Sequence, residues 1–432
     1  MQAVIMAGGK GERLAGVTEN KIPKPLVPFC GKPLIEHLID SLMQNGITDM
    51  VICVGHLGEQ IMARLGDGSR FGCTIHFVCE TFPLGSAGAL YYAKAYIRED
   101  FILVNADLLM NIDIGKMHAF HLQKNALATL FVHPNSHPCD SDIVVKDAEN
   151  RVLKFDFKGT VRADDYENCT NAGVVIFKKN VLDLFIKPQV LHLERDVLST
   201  LIQKGERIFA YHSPEYVKDI GTPVRLAEAV AEYESGKVTH RNLAHKQKAI
   251  FLDRDGTLNQ FKGLITSPAQ MELIEGVPEA LKRINRSDYL ALVVTNQPVL
   301  ARGDCTVETL ELIHKRLYTL LGNAGCYVDD LIYCPHHPDK GYAGEVKALK
   351  IDCACRKPKT GMVTTMAKKY NIDLSASYFI GDTYRDVQTG RNAGVKTVFI
   401  PSDADDEKTV FVTEPDFKAA SLRVALDMIG IK

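Results

Sequence analysis

Residues 333–362 read YCPHHPDKGYAGEVKALKIDCACRKPKTGM, and three of the chain's eleven cysteines fall in this one stretch. Cys334 with His336 makes a C-x-H pair and Cys353 with Cys355 a C-x-C pair. Together they offer four nitrogen and sulfur ligands of the kind that close a tetrahedral shell around Zn²⁺. His337 competes for the histidine position, and spacing alone does not choose between the two. The other readings are a disulfide, disfavoured in a reducing compartment, and cysteines that only fill space. Upstream, FLDRDGTLN ends an apolar run on Asp253, with Asp255 two residues later and Gly256 allowing a turn. Such a pair suits Asx turns. It also lets one carboxylate attack phosphorus while the other moves protons. Thr295 and Asn296 end LALVVTNQ, Lys357 lies in CRKPKTG, and Asp382 and Asp386 end YFIGDTYRD.

A second set of residues lies near the N-terminus. MAGGKGERL puts Gly8, Gly9 and Gly11 in a turn after an apolar run, where backbone N–H groups approach phosphates without Cβ obstruction. A plain tight turn reads the same way, and the sequence is not a dinucleotide fingerprint. Arg13 in the same loop, and Lys24 between Pro23 and Pro25 in KIPKPLVP, add the cations a phosphate-rich substrate needs. Asp107 ends FILVNAD and Asp219 precedes a Thr-Pro helix start in KDIGTPVRLAEA. Each could be a turn or cap residue. Converging on the glycine loop, the two would hold Mg²⁺ through oxygen.

Stepping out to the elements, short β-branched runs (AVIM, MVICVG, CTIHFVC, FILVNAD) alternate with helix-like stretches such as PLIEHLIDSLMQNG, closing on Gly46. That alternation predicts an α/β fold with a parallel sheet. NALATLFVH to NAGVVIF is richer in strands, and a helix-like segment runs out at Gly236. KVTHRNLAHKQK is polar and aperiodic and reads as a linker. The α/β pattern then restarts at AIFLDRDGTLN. Two domains, 1–236 and 248–432, joined by 237–247, are expected. At 432 residues, 46% hydrophobic and 24% charged, the chain can bury a large core. A net charge of −2 gives no reason to invoke a nucleic acid or a membrane surface as partner. No run is long enough to span a bilayer. The N-terminus reads as a strand rather than a signal peptide, and the scattered cysteines suggest the cytoplasm.

Taken in order, GGKGERL, PKPLVP, PLGSAGAL, NAD, NAGVVIF and KDIGTPVRLAEA resemble the sugar-phosphate nucleotidyltransferases over about the first 235 residues. The resemblance implies a Rossmann-like, GT-A-like domain. There a sugar 1-phosphate oxygen attacks the α-phosphorus of a nucleoside triphosphate and expels pyrophosphate. It implies that Gly8, Gly9 and Gly11 cradle the triphosphate and that Arg13 neutralises the leaving group. Lys24 would contact the reacting phosphates, and Asp107 and Asp219 would hold Mg²⁺. Glu80, Gly85 and Gly88 would surround base and ribose, and Asn171 and Gly173 would meet the sugar. PLGSAG is most similar to guanylyltransferases of mannose-type or heptose 1-phosphates. Ala106 stands where that family has Gly before the metal Asp.

Residues 248–400 resemble the haloacid dehalogenase superfamily, a Rossmannoid phosphatase fold. The resemblance implies Asp253 as nucleophile and Asp255 as general acid and base, with Thr295 and Lys357 on the phosphoryl group. Asp253, Asp382 and the carbonyl of Asp255 would hold Mg²⁺, with Asp386 in support. TNQPVLARG, CPHHP and CACRKPKTGM favour the D-glycero-D-manno-heptose 1,7-bisphosphate phosphatases, and imply a structural zinc loop and substrate contacts from Asn296, Arg302 and Arg356. Thr383 replaces an expected Lys. The two halves together suggest a bifunctional enzyme of activated-heptose synthesis, with GTP as donor, small-molecule substrates and room for a homo-oligomer. The alternatives are a mannose or other hexose 1-phosphate guanylyltransferase fused to a histidinol-phosphate phosphatase, and a regulatory sugar-nucleotide binder. Base, sugar, anomer and oligomeric state are left open by the sequence.

Overall fold

The opening apolar run becomes a strand buried on both faces, with Ala3, Val4 and Ile5 all inaccessible, as a central parallel strand requires. The computed structural model describes residues 1–9, 11–159, 162, 165–403 and 413–432. It divides into two units, the first comprising 1–133, 144–157 and 170–242, the second 134–143, 158–169 and 243–432.

In the first unit, β1 (Gln2–Ala7) leads through α1 (Leu34–Gln44) to β2 (Asp49–Val54), β3 (Thr74–Cys79), β4 (Phe101–Asn105) and β5 (Leu108–Asn111). The strand-rich stretch follows as β6 (Ala128–His133), β7 (Thr170–Phe177), β8 (Ile208–His212) and β9 (Tyr216–Asp219), before α2 (Pro223–Glu234). β1 lies between β2 and β4, all parallel, and β3 continues that side. β7 runs antiparallel to β4, so the expected extension adds to the same sheet. Gly46 takes a φ of +74° just past the end of α1, and Ile47 N–H closes back on Leu42, as the predicted stop requires. Thr222 caps α2 by accepting from Arg225 N–H, with Pro223 at the first turn. The 237–247 stretch, polar in sequence, is largely packed rather than extended into solvent. Lys237–His240 forms a helical turn, and Val238, Arg241 and Leu243 are buried.

The second unit is a parallel sheet of β10 (Lys248–Leu252), β11 (Tyr289–Asn296), β12 (Asp330–Cys334), β13 (Tyr378–Gly381) and β14 (Lys396–Phe399), ordered β12-β11-β10-β13-β14. Helices α3 (Val307–Asn323), α4 (Gly361–Lys369) and α5 (Tyr384–Ala393) lie between its strands in the chain. Period-two alternation gives the sheet two cores. Ile250, Leu252 and Val293 face one, and Ala249, Phe251, Leu292 and Val294 face the other. The carboxyl ends of β10, β11, β12 and β13 therefore deliver Asp253, Thr295, Cys334 and Asp382 to one edge of the sheet, where open α/β sheets bind ligands.

Candidate active sites

In the first unit the turn after β1 opens on a cavity of about 850 Å³ lined by Gly8, Gly9, Gly11, Arg13, Lys24, Glu80, Gly85 and Asp107, among others. Gly8 packs close against Glu80, whose carboxylate would lie 2.6 Å from a Cβ there. Gly11 combines a φ of +68° with a Cβ position 3.1 Å from Lys24, so the loop closes tightly on that lysine. β9 pairs with β5 so that Asp219 lies opposite Leu108, and Ile220 N–H donates to Asp107 carbonyl at 2.9 Å. This register brings the two aspartates together. The Lys24 ammonium bonds Asp107 Oδ2 and lies 3.4 Å from Asp219 Oδ1, with its side chain only 10% exposed. Asp219 Oδ2 also meets Arg225 at 3.0 Å and Arg13 at 3.9 Å. The sequence reading missed Arg225, which looked like an ordinary residue in the first turn of α2.

Burial raises the half-buried Glu80 carboxyl above its usual range, although Leu84 N–H donates to it. Gly85 and Gly88 serve close backbone packing. A Cβ on Gly85 would meet Leu191 carbonyl at 2.5 Å, and one on Gly88 would overlap Gln189 carbonyl. Gly85 lines the cavity and Gly88 does not. Asn171 and Gly173 also stand back from the lining. Asn171 donates to Glu194 at 2.9 Å, and Gly173, at φ +75°, packs on Asn105, which does line it.

In the second unit, Asp253, Asp382 and Asp386 bring carboxylate oxygens within 4.8 Å of one another, all buried. Lys357 Nζ lies 2.8 Å from Asp253 and 2.6 Å from Asp386. One ammonium thus faces three carboxylates. Burial and then Asp386 raise the Asp253 carboxyl to about 7 against the pull of Lys357. Burial, Asp253 and Asp386 push Asp382 to about 8. Asp382 Oδ1 is buried without a hydrogen-bond partner among the described residues, while Oδ2 accepts from Ser402 at 2.5 Å. An orphaned, oxygen-only, over-negative pocket fits a hard divalent cation. Gly256, at φ +77°, leaves room for Asp382, whose carboxylate a Cβ would overlap. Asp386 belongs to this cluster as closely as Asp382. Its Oδ2 accepts from Thr383, the position where Lys was expected, in a capping box that starts α5.

Asp255 lies outside the three-carboxylate cluster, and its carboxylate is held by Arg254, Asn259 and Gln297. Those donors outweigh burial and lower its carboxyl. Thr295 Oγ1 accepts from Gln297 at 2.9 Å. Asn296 brackets the Lys357 backbone, accepting from its N–H at 3.0 Å and donating to its carbonyl at 3.2 Å, so it holds the lysine's segment in place. Arg356 donates to His336 carbonyl at 3.2 Å. Burial and the nearby Arg385 and Arg302 guanidiniums lower its own proton affinity. Arg302 stacks 4.5 Å above Tyr342, and its Nε is buried without a partner. Cys334, His336, Cys353 and Cys355 bring one ligand atom each within 4.8 Å. His336 Nδ1 is 3.3 Å from Cys355 Sγ, whereas His337 packs edge-on against Tyr342 and accepts from Asp339 N–H. The geometry selects His336. Arg356 N–H donates to Cys353 Sγ at 3.3 Å, a contact suited to a thiolate.

Of the two α/β units, one opens on a glycine loop with cations and paired aspartates and the other presents a carboxylate–lysine cluster at its strand ends. The chain belongs to the nucleotidyl transferase family, matched over residues 2–236, and is matched over 354–425 by the HAD-hydrolase-like family. It is 31% identical over 238 residues to a mannose-1-phosphate guanylyltransferase of Mycobacterium tuberculosis, covering 55% of this chain and 65% of that one. It is 40% identical over 152 residues to a D-glycero-beta-D-manno-heptose-1,7-bisphosphate 7-phosphatase of Haemophilus ducreyi, covering 35% and 81%. A UTP–glucose-1-phosphate uridylyltransferase of Synechocystis is 30% identical over 369 residues, covering 82% and 92%. The chain therefore spans just under two thirds of the length of the guanylyltransferase.

Proposed function

We propose that the chain makes a nucleotide-activated heptose in two reactions. The second unit removes the 7-phosphate of D-glycero-D-manno-heptose 1,7-bisphosphate, and the first transfers a nucleotidyl group, GMP from GTP, to the heptose 1-phosphate. The observation that carries this reading is the crowding of Arg302, Arg356 and Arg385 beside the Lys357 segment. Three guanidiniums there suit a substrate with a second phosphate, and the phosphatase relative is named for such a bisphosphate.

In the phosphatase reaction an Asp253 oxygen bonds phosphorus as the bond to the sugar oxygen breaks, and Asp255 gives that oxygen its proton. Water, deprotonated by Asp255, then attacks phosphorus and frees Asp253. Lys357 balances the charge of Asp253 and Asp386 throughout. Asp253, Asp382 and Asp386 would hold Mg²⁺, with the carbonyl of Asp255 also in the shell, to neutralise the transferring phosphoryl. Cys334, His336, Cys353 and Cys355 would hold Zn²⁺ with no open position, shaping the loop before Arg356 and Lys357. In the first unit, the backbone around Gly8–Gly11 and Arg13 would hold the triphosphate. Asp107 and Asp219 would hold Mg²⁺ once Lys24 turns from them to the phosphates. Glu80, an acceptor-only carboxylate, suits the donor edge of guanine. Among the described residues no helix is long and apolar enough to cross a membrane.

Incubation with the heptose 1,7-bisphosphate and each nucleoside triphosphate in turn, with products read by mass, tests both reactions. GDP-heptose with release of phosphate and pyrophosphate is expected. Phosphate release from histidinol phosphate instead, or transfer only to a hexose 1-phosphate, would overturn the heptose assignment. Asp253→Asn should cut phosphate release by at least about 10³-fold and leave nucleotidyl transfer within about twofold, and Asp107→Asn should do the reverse.

A further inference from the structure

Arg254 sits between the two aspartates of FLDRDG, and its side chain is 0% exposed. Its Nε donates to Asp255 Oδ1 at 3.1 Å and its Nη2 to Oδ2 at 2.8 Å, a fork-on-fork pair. Its Nη1 is buried with no hydrogen-bond partner among the described residues. The nearby ring of His314 is itself buried with an unpartnered Nε2. A buried ion pair is weak evidence of a contribution to stability, because a well-packed apolar side chain often does as well. The pair instead controls the carboxylate. Asn259 adds 3.0 Å to Oδ1 and Gln297 3.0 Å to Oδ2, but both are neutral amides, and Gln297 is shared with Thr295. Among the described residues only the guanidinium bonds both oxygens.

We propose that Arg254 is the positioning residue that orients the Asp255 carboxylate toward the leaving oxygen of the phosphate ester. The inference rests on Asp255 being the proton donor of the phosphatase reaction. The Arg254 backbone N–H donates to Asp253 Oδ1 at 2.7 Å, a contact that substitution of the side chain keeps; the guanidinium acts through Asp255, so its removal matters in proportion to how much the leaving group needs a proton. A nitrophenolate leaves unaided, whereas a sugar alkoxide does not.

The test measures kcat/KM, which reports events up to leaving-group departure, for full-length protein on phenyl phosphates of graded leaving-group basicity and on the heptose bisphosphate. Arg254→Lys is expected to lose about threefold or less on nitrophenyl phosphate and about 30- to 100-fold on the sugar phosphate, steepening the dependence on leaving-group basicity. An equal loss across the series, the signature of a merely structural residue, overturns the proposal. In an Asp255→Asn background, Arg254→Lys should cost nothing further, and a full additional loss also overturns it. If Arg254→Lys does not fold, Arg254→Met, whose apolar side chain suits the buried position, is read in the same series, and a slope equal to the parent's overturns the proposal. Phosphate release surviving Asp253→Asn would instead sink the phosphatase reading itself.

Discussion

Single atoms decide much of the phosphatase site. Gly256 is the sharpest case, because its φ of +77° and the Asp382 carboxylate in the place of its Cβ exclude any side chain. Gly256→Ala is expected to destabilise the protein by about 1–3 kcal/mol and to displace Asp382, so phosphate release falls more than the loss of folded protein explains. Parallel urea titration and activity per folded molecule check this; a variant with normal stability and normal turnover would contradict it. Residue types at strand ends made Asp253, Thr295 and Asp382 legible in the sequence, and Lys357 stood out in CRKPKTG. Arg225 and the full membership of Asp386 were not, because a charged residue in a helix's first turn has the same local signature whether it faces solvent or a carboxylate from another strand.

At the level of elements, the Cys/His loop and α2 each tie separate pieces of backbone together. Cys334 and His336 at the end of β12 converge with Cys353 and Cys355 of the segment before α4, and Asn296 fastens the same segment to β11. Elemental analysis is expected to return about one zinc per chain, and Cys355→Ser to lower it together with phosphate release while nucleotidyl transfer persists. Full zinc retention in that variant would refute the four-ligand site. α2 is fixed differently. Burial pushes the Glu232 carboxyl up, but Lys237 at 2.9 Å and Lys218 at 2.8 Å outweigh it and hold the group at about 2, against 4.5 for an unperturbed Glu. A carboxyl depressed on folding contributes stability that is complete above about pH 4.5 and is lost as pH falls toward 2. Glu232→Gln should therefore cost on the order of 2–3 kcal/mol at pH 6 and almost nothing near pH 2, read as the difference in urea midpoints between the two proteins. A difference that stayed constant across that range would refute the linkage. The helix itself was legible from its Thr-Pro start, but its anchoring was not. KVTHRNLAHKQK looks like a solvated linker until Lys237 finds Glu232, a pairing that depends on how α2 turns back.

On the scale of the whole molecule, the sequence pattern shows two α/β runs and one polar break, because alternation is a local signal and restarts visibly at AIFLDRDGTLN. It carries no sign that residues 134–143 and 158–169 fold with the second unit, since those stretches are short, polar and joined to it only by side-chain contacts. Those contacts are specific. Tyr166 N–H donates to Thr319 Oγ1 at 3.0 Å, Asp165 pairs with Arg316 at 3.3 Å, and Cys139 reaches Asn323 at 3.5 Å, all along α3. Gly322 is glycine because a Cβ there would lie 2.6 Å from the Pro138 ring. A chain cut to 243–432 keeps every group assigned to the phosphatase reaction but strips one face of α3, exposing Gly322 and leaving Thr319 and Arg316 without these partners. The expected result is a melting temperature lower by roughly 5–10 °C than that of the same unit in the full chain, with phosphate release retained at 20 °C. Equal melting temperatures would mean that the two stretches add nothing to the unit's stability. Loss of activity in a folded fragment would mean that residues before 243 reach into the phosphatase chemistry.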